Sequence, residues 1–174
     1  MALKTFNKTP KEIDMDSFTY FQPTEIRYGA TRLNELGGVV AQYGKRCLLV
    51  TVPSEKIFEP LFNRVKQLLL DSGVDCEHFD GVVPNPTTDC VTAGADMAKR
   101  FGADVILGVG GGSSMDTAKA IAVDASHPGT AWEYLWFSET QPTTATLPII
   151  GVTTTSGTGS QVTQVAGVTN PGVS

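Results

Sequence analysis

Apolar positions along the chain switch repeatedly between two spacings, and the switches mark the elements. Leu33, Leu36, Val40 and Tyr43 recur at helical spacing and Gly44 follows as a stop signal. Cys47-Leu48-Leu49-Val50-Thr51-Val52 then runs apolar on both faces, the pattern of an interior parallel strand. Pro53-Ser54-Glu55 opens a predicted helix with Ile57, Leu61, Val65, Leu68 and Leu69 on one face, closed by Gly73. A second short strand is predicted over 74–79. A proline-rich loop, Val82-Val83-Pro84-Asn85-Pro86-Thr87-Thr88, follows, and Thr87 or Thr88 can cap a helix facing inward through Val91, Gly94, Ala98 and Phe101. Residues 104–108, around Val105-Ile106-Leu107, form a third buried strand. A glycine turn, Gly108-Val109-Gly110-Gly111-Gly112-Ser113, leads into a helix that buries Met115, Ala118, Ile121, Ala122 and Ala125. A loop carrying Trp132, Tyr134, Trp136 and Phe137 precedes a fourth buried strand over 147–152. Beyond a Thr/Gly/Ser loop at 153–160, an alternating strand is expected around 162–168, and Asn170-Pro171-Gly172 announces a hairpin turn. Residues 18–28 read as extended.

Buried strands alternating with helices define right-handed βαβ units. The expected fold is α/β, a Rossmann-like open, mostly parallel sheet with helices on both faces. It occupies 1–174 as a single domain behind a polar leader at 1–16. The return strand of the announced hairpin has only Val173 and Ser174, so the chain is read as stopping short of its natural end. Ligands of such sheets bind beyond the carboxyl ends of the strands. The glycine turn, the 153–160 loop and the Asn85 loop all fall on that edge.

Charge narrows the partners. A net charge of -5 with no basic run argues against nucleic acid or an anionic membrane, and no segment is long and apolar enough to span one. The N-terminus lacks the apolar core of a signal peptide. Cys47, Cys76 and Cys90 are odd in number, form no CxxC pair and sit in or beside apolar stretches, as expected of reduced thiols in a cytoplasmic protein.

The candidate chemistry lies on the loops. A pyrophosphate needs several backbone N–H groups aimed one way with no Cβ between them, and a helix N-terminus adds attraction. Gly110, Gly111 and Gly112 allow that approach and Ser113 offers a hydroxyl. The motif is neither GxGxxG nor a P-loop, and glycine also serves a ligand-free tight turn. Asp116, three residues after Ser113, has capping-box spacing, and a carboxylate aimed at a phosphate would repel it, so a helix cap is its expected role. Thr154, Thr155, Thr158 and Ser160 interleave with Gly157 and Gly159 at a strand end and could meet phosphate, ribose or an amide, or hydrogen-bond locally. Asn85, between two prolines, could place a carboxamide against a base or ribose, or serve its own turn. His78 and His127 lack ligand-spaced partners, and packing of the long loop is the expected role of the aromatic cluster. No nucleophile elbow or HExxH occurs.

Four stretches, FQPTEIRYG (21–29), FDGVVPNPTTD (79–89), ADVILGVGGGSSMDTAKAIA (103–122) and LPIIGVTTTSGTGSQVT (147–163), together resemble the iron-containing (group III) alcohol dehydrogenase family in order and spacing. The resemblance implies the N-terminal nucleotide-binding domain of an NAD(P)-dependent oxidoreductase acting on small alcohols and aldehydes, expected to be a homo-oligomer. Asn85 then matches a cofactor-contacting Asn, Gly111, Gly112 and Ser113 the pyrophosphate turn with Asp116 completing its signature, and Thr154, Thr155 and Thr158 the opposite wall. Val52 stands where some members carry an Asp that favours NAD, which leaves NADP at least as plausible. Gln161 replaces a usual Glu. The family's divalent iron or zinc is held by a helical domain whose positions lie beyond Ser174, so neither a metal ligand nor a catalytic residue is assigned in this chain. A glycerol dehydrogenase or dehydroquinate synthase-like relative, and a non-catalytic nucleotide-binding module, are the competing readings.

Overall fold

A computed structural model describes Ser17, Thr19 and residues 21–173. The polar leader, Phe18 and Tyr20 lie outside the described residues. Four parallel strands form one sheet: β1 (Arg46–Val50), β2 (Asp75–Phe79), β3 (Val105–Gly110) and β4 (Ile149–Thr153), in the order β2-β1-β3-β4. The helices are α1 (Leu36–Val40), α2 (Glu59–Asp71), α3 (Thr88–Phe101) and α4 (Gly112–Ser126).

The pleat of the two central strands sorts the core into two layers. Cys47 and Leu49 of β1 with Val105, Leu107 and Val109 of β3 face one way, against Leu36 and Val40 of α1 and Phe62, Val65 and Leu69 of α2. Leu48, Val50 and Ile106 face the other way, against Val91 and Ala98 of α3 and Ala118 and Ile121 of α4. Both central strands are sealed on both sides, so alternation vanishes from their sequences. Close packing of α3 on α4 depends on Gly94, since a Cβ there would run into Ile121. Thr87 is extended and its hydroxyl accepts from Cys90 N–H at 3.3 Å, so Thr87 is the helix cap. At the other end Gly102 takes the left-handed conformation that stops α3.

Several expectations are corrected. The 147–152 strand is not buried: β4 is an edge strand with alternating exposure, and Ile149 is 41% exposed. No strand forms over 162–168. That stretch is irregular apart from a 3-10 turn at Ser160–Val162: residues 163–167 are exposed, and the Thr163 and Val165 carbonyls turn to Lys119 of α4 rather than to a ladder. The second helix begins at Glu59 instead of after Pro53, which leaves Ile57 exposed, while Phe62 joins the core. Tyr43 is exposed and Ala125 only half-buried. Trp136 and Phe137 pack edge-on to each other in solvent, with Trp136 83% exposed. Trp132 and Tyr134 are half-buried, and Tyr134 packs on His127 and donates to the Pro128 carbonyl at 2.9 Å, so only part of the aromatic cluster packs its loop as expected. Residues 21–28 join no ladder. The turn at Asn170 is present, with Val173 N–H donating to the Asn170 carbonyl at 3.2 Å.

Among the described residues no helix is long and apolar enough to cross a membrane.

Candidate nucleotide-binding cleft

The connection from β1 to β2 runs through α2 on one face, and that from β2 to β3 runs through α3 on the other. The loop after β3 leads into α4 on the face opposite α2, so the loops that follow the paired strands β1 and β3 leave in opposite directions. After β3, Gly110 adopts φ 145, a backbone state L side chains rarely reach, and Gly111 returns to extended geometry as the residue before α4. No side chain caps α4. Its first N–H groups have no acceptor within the helix, and the dipole adds positive character there.

The 153–160 loop lies directly opposite. Thr154 N–H donates to the Gly110 carbonyl at 2.9 Å, extending the β3–β4 register by one step. A Cβ on Gly111 would lie 3.2 Å from Thr155 Oγ1, and one on Gly112 would lie 2.8 Å from Thr158 Oγ1 and 3.0 Å from its Cγ2. Side chains at these two positions would fill the space between turn and loop. Glycine is required for the approach of one wall to the other, which is a stronger statement than the freedom of a tight turn. The third wall comes from the end of the chain. Thr169 N–H donates to the Pro86 carbonyl at 2.8 Å and its own carbonyl accepts from Thr88 N–H at 3.0 Å, which seats 167–169 beside the Asn85 loop.

Between these walls lies a cleft of about 390 Å³ lined by Asn85, Pro86, Gly112, Ser113, Asp116, Thr158 and Gly167-Val168-Thr169. Five of the sequence-derived residues thus converge on it. Asn85 is exposed and left-handed at φ 52, an uncommon state for a side-chain-bearing residue, and it makes no hydrogen bond to the described residues. Its carboxamide is not consumed by its own turn. Thr154 and Thr155 sit on the exposed loop just outside the cleft lining, and Gly110 lies behind it. Val52 follows the end of β1, half-buried and packed against both core layers, away from the cleft lining.

Asp116 is a correction. Ser113 lies inside α4, Gly111 is its N-cap, and the Asp116 carboxylate caps nothing. It accepts instead from Ser160 Oγ at 2.5 Å and lies 3.6 Å from Lys119 Nζ. The carboxylate is thus turned to the loop and paired with a cation, which blunts its repulsion of an anionic ligand. Lys119 and the 167–169 wall were missed by sequence reasoning, and Ser160 was expected among the loop hydroxyls without its partner. A Lys three residues beyond an Asp on one helix face was the available signal.

No group of three His, Cys, Asp or Glu side chains that could hold a metal exists among the described residues. Burial raises the thiols of Cys47 and Cys90 and pushes that of Cys76 up to about 11, so they are protonated rather than ligand-ready. His78 Nε2 lies 2.8 Å from Thr51 Oγ1, and His127 binds the Val123 carbonyl and Thr143 around the end of α4. Both histidines are structural. A second cavity of about 530 Å³ opens between α3, α4 and the 130–149 loop, and Trp132, Tyr134 and Trp136 line it on the side away from the glycine turn.

The geometry has counterparts among known proteins. NADH-dependent butanol dehydrogenase A of Clostridium acetobutylicum is 30% identical over 156 residues, which span 90% of this chain and 40% of that protein. The solved archaeal alcohol dehydrogenase from a halo-thermophilic Red Sea brine pool superposes with a TM-score of 0.84 at 35% identity, covering 90% of this chain and 41% of that one. The sulfoacetaldehyde reductase of Bifidobacterium kashiwanohense, solved in complex with NAD+, gives a TM-score of 0.77 at 28% identity, covering 91% and 42%. The chain thus spans about two fifths of the length of the relatives it matches. The model of the family described as iron-containing alcohol dehydrogenase matches residues 23–173, and the chain belongs to that family.

Proposed function

We propose that the chain is the dinucleotide-binding domain of an NAD(P)-dependent, metal-dependent alcohol dehydrogenase that interconverts small alcohols with aldehydes or ketones. One observation carries this reading. The uncapped N-terminus of α4 opens into a cleft beyond the carboxyl ends of the strands, and the glycines of the turn leave the room that a pyrophosphate needs. Bound there, a nicotinamide cofactor supplies or accepts hydride.

The chain's own groups bind and orient. Backbone N–H groups at Gly111, Gly112 and Ser113 receive the pyrophosphate, with the Ser113 hydroxyl as a further donor. Asn85 offers an unused carboxamide from the Pro86 side, and Thr154, Thr155 and Thr158 offer hydroxyls from the facing loop. Asp116 acts through Ser160 on that loop rather than on the phosphate. At the ribose end, Val52 presents neither a carboxylate to hold a 2′-hydroxyl nor a charge to repel a 2′-phosphate, so the domain accepts NADPH as well as NADH.

A divalent iron or zinc acts as Lewis acid in the complete enzyme, and its ligands come from outside these residues. The described side chains do not fit a metal, and the chain alone is inactive in alcohol oxidation. We place the protein in the cytoplasm on the strength of its three free cysteines, and as a homo-oligomer on that of the exposed apolar side chains Phe21, Ile26 and Tyr28. Titration with NADH and NADPH, followed by the cofactor's fluorescence, tests the reading. Saturable binding of either supports it, and binding of neither overturns it.

A further inference from the structure

Lys119 holds a segment that the helix carrying it otherwise touches through charge only at Asp116. It stands one turn beyond Asp116 on α4, with its side chain 12% exposed. Its Nζ donates to the carbonyl oxygens of Ser160 at 2.9 Å, Thr163 at 3.2 Å and Val165. An ammonium has three hydrogens and no acceptor capacity, so three converging carbonyls satisfy it completely. Burial lowers the pKa of the amine and the adjacent Asp116 carboxylate opposes that shift. Asp116 receives the Ser160 hydroxyl at 2.5 Å. One residue of the loop, Ser160, is therefore gripped twice, by its carbonyl and by its hydroxyl.

The gripped segment has little else to define it. Beyond the 3-10 turn at Ser160–Val162 it has no regular structure, and its local backbone bonds are those of that turn. Yet it joins two walls of the cleft, Thr158 on one side and Gly167-Val168-Thr169 on the other. Three carbonyl dipoles pointing at one place repel each other unless a cation sits between them. Without the ammonium they turn outward toward water, and the two walls lose their common anchor.

We propose that Lys119 is a positioning residue of the cleft: by clasping the carbonyls of Ser160, Thr163 and Val165 it sets the distance between the glycine turn and the walls at Thr158 and 167–169. The inference rests on the dinucleotide reading for what the cleft holds. Lys119 itself lies in the second cavity's lining and outside that of the cleft, so it acts through the loop.

The test compares the unsubstituted chain with Lys119→Met, which keeps length and removes charge, and with Ser160→Ala, which removes only the hydroxyl grip. Two quantities are read: the dissociation constant for NADH by fluorescence, and hydrogen exchange resolved by segment. Lys119→Met is expected to weaken NADH roughly ten- to a hundredfold, the scale of losing charge-assisted hydrogen bonds. Exchange is expected to rise over 158–169 while β1 and β3 stay protected. Ser160→Ala is expected to shift both quantities in the same direction by less. Unchanged NADH affinity in Lys119→Met overturns the proposal. So does loss of protection spreading through β1 and β3, which assigns Lys119 to global stability. Absence of binding by the unsubstituted chain sinks the dinucleotide reading instead, and the exchange comparison alone then decides whether Lys119 holds the wall.

Discussion

Replacing Gly112 by alanine adds one methyl group at the closest approach of the two cleft walls. Gly112 is already in helical backbone, so the substitution carries no conformational penalty, and in isolation alanine would favour α4 by up to about 1 kcal/mol. The new Cβ would stand 2.8 Å from Thr158 Oγ1 and 3.0 Å from Cγ2, inside the separation real Cβ atoms keep. Thr158 is β-branched and short, so it cannot swing its far end away, and the loop must retreat by several tenths of an ångström. Overpacking of this kind costs about 1–3 kcal/mol. Because the helix gains what the loop loses in part, the melting temperature should move little. Cofactor affinity should fall by roughly five- to a hundredfold if that cost is taken from the bound geometry. The assay is an NADH titration beside a thermal melt, repeated in a Thr158→Ala background. There only the retained Cβ at position 158 stays in reach, at 3.5 Å, an ordinary contact, so Gly112→Ala should add almost nothing to whatever Thr158→Ala costs alone. Additive losses in the double variant, or wild-type affinity in Gly112→Ala, would refute the reasoning.

Other expectations follow from single contacts. Thr87→Ala removes the side-chain cap of α3 and should lower stability by about 1 kcal/mol, seen as a melting shift of a few degrees. Lys99→Met strips the ion pair from Asp124, whose carboxylate is 3% exposed and also accepts from Ala131 N–H; a destabilisation of about 1–3 kcal/mol should appear in urea titration. His78 is held below its ordinary pKa by burial first and by Lys66 second. The unfolded chain therefore binds the proton more readily between the two values, so stability falls as pH drops below 6.5, and His78→Gln should flatten that slope. Cys47, buried with its thiol raised, should resist alkylation at neutral pH until the chain is unfolded.

The central part of this architecture was open to sequence reasoning because local and global preferences agree there. Strands β1 and β3 are buried on both faces, so their runs of Leu, Val and Ile could belong to little else, and Gly73 and Gly102 end their helices by backbone conformation alone. The cleft was legible for the same reason: Gly110–Ser113, Asn85 and Thr158 announce themselves by composition. What failed was whatever depends on neighbours. β4 has the apolar run of a buried strand, but no second strand lies against it within the described residues, and Ile149 stays exposed. The alternation at 162–168 imitates a strand, while Lys119 takes its carbonyls away from any ladder. Asp116 had the spacing of a cap and the chemistry of one. Only the packing of Ser160 against it, 44 residues along the chain, shows where its charge is spent.

Backbone amide NMR during an NADH titration of the 174-residue chain tests the central claim most directly. Saturable shifts are expected to be largest at Gly111, Gly112 and Ser113, followed by Asn85 and Thr158, with the amides around Trp132 and Val123 in the second cavity nearly still. Shifts centred on that second cavity, or none that saturate, would contradict the claim.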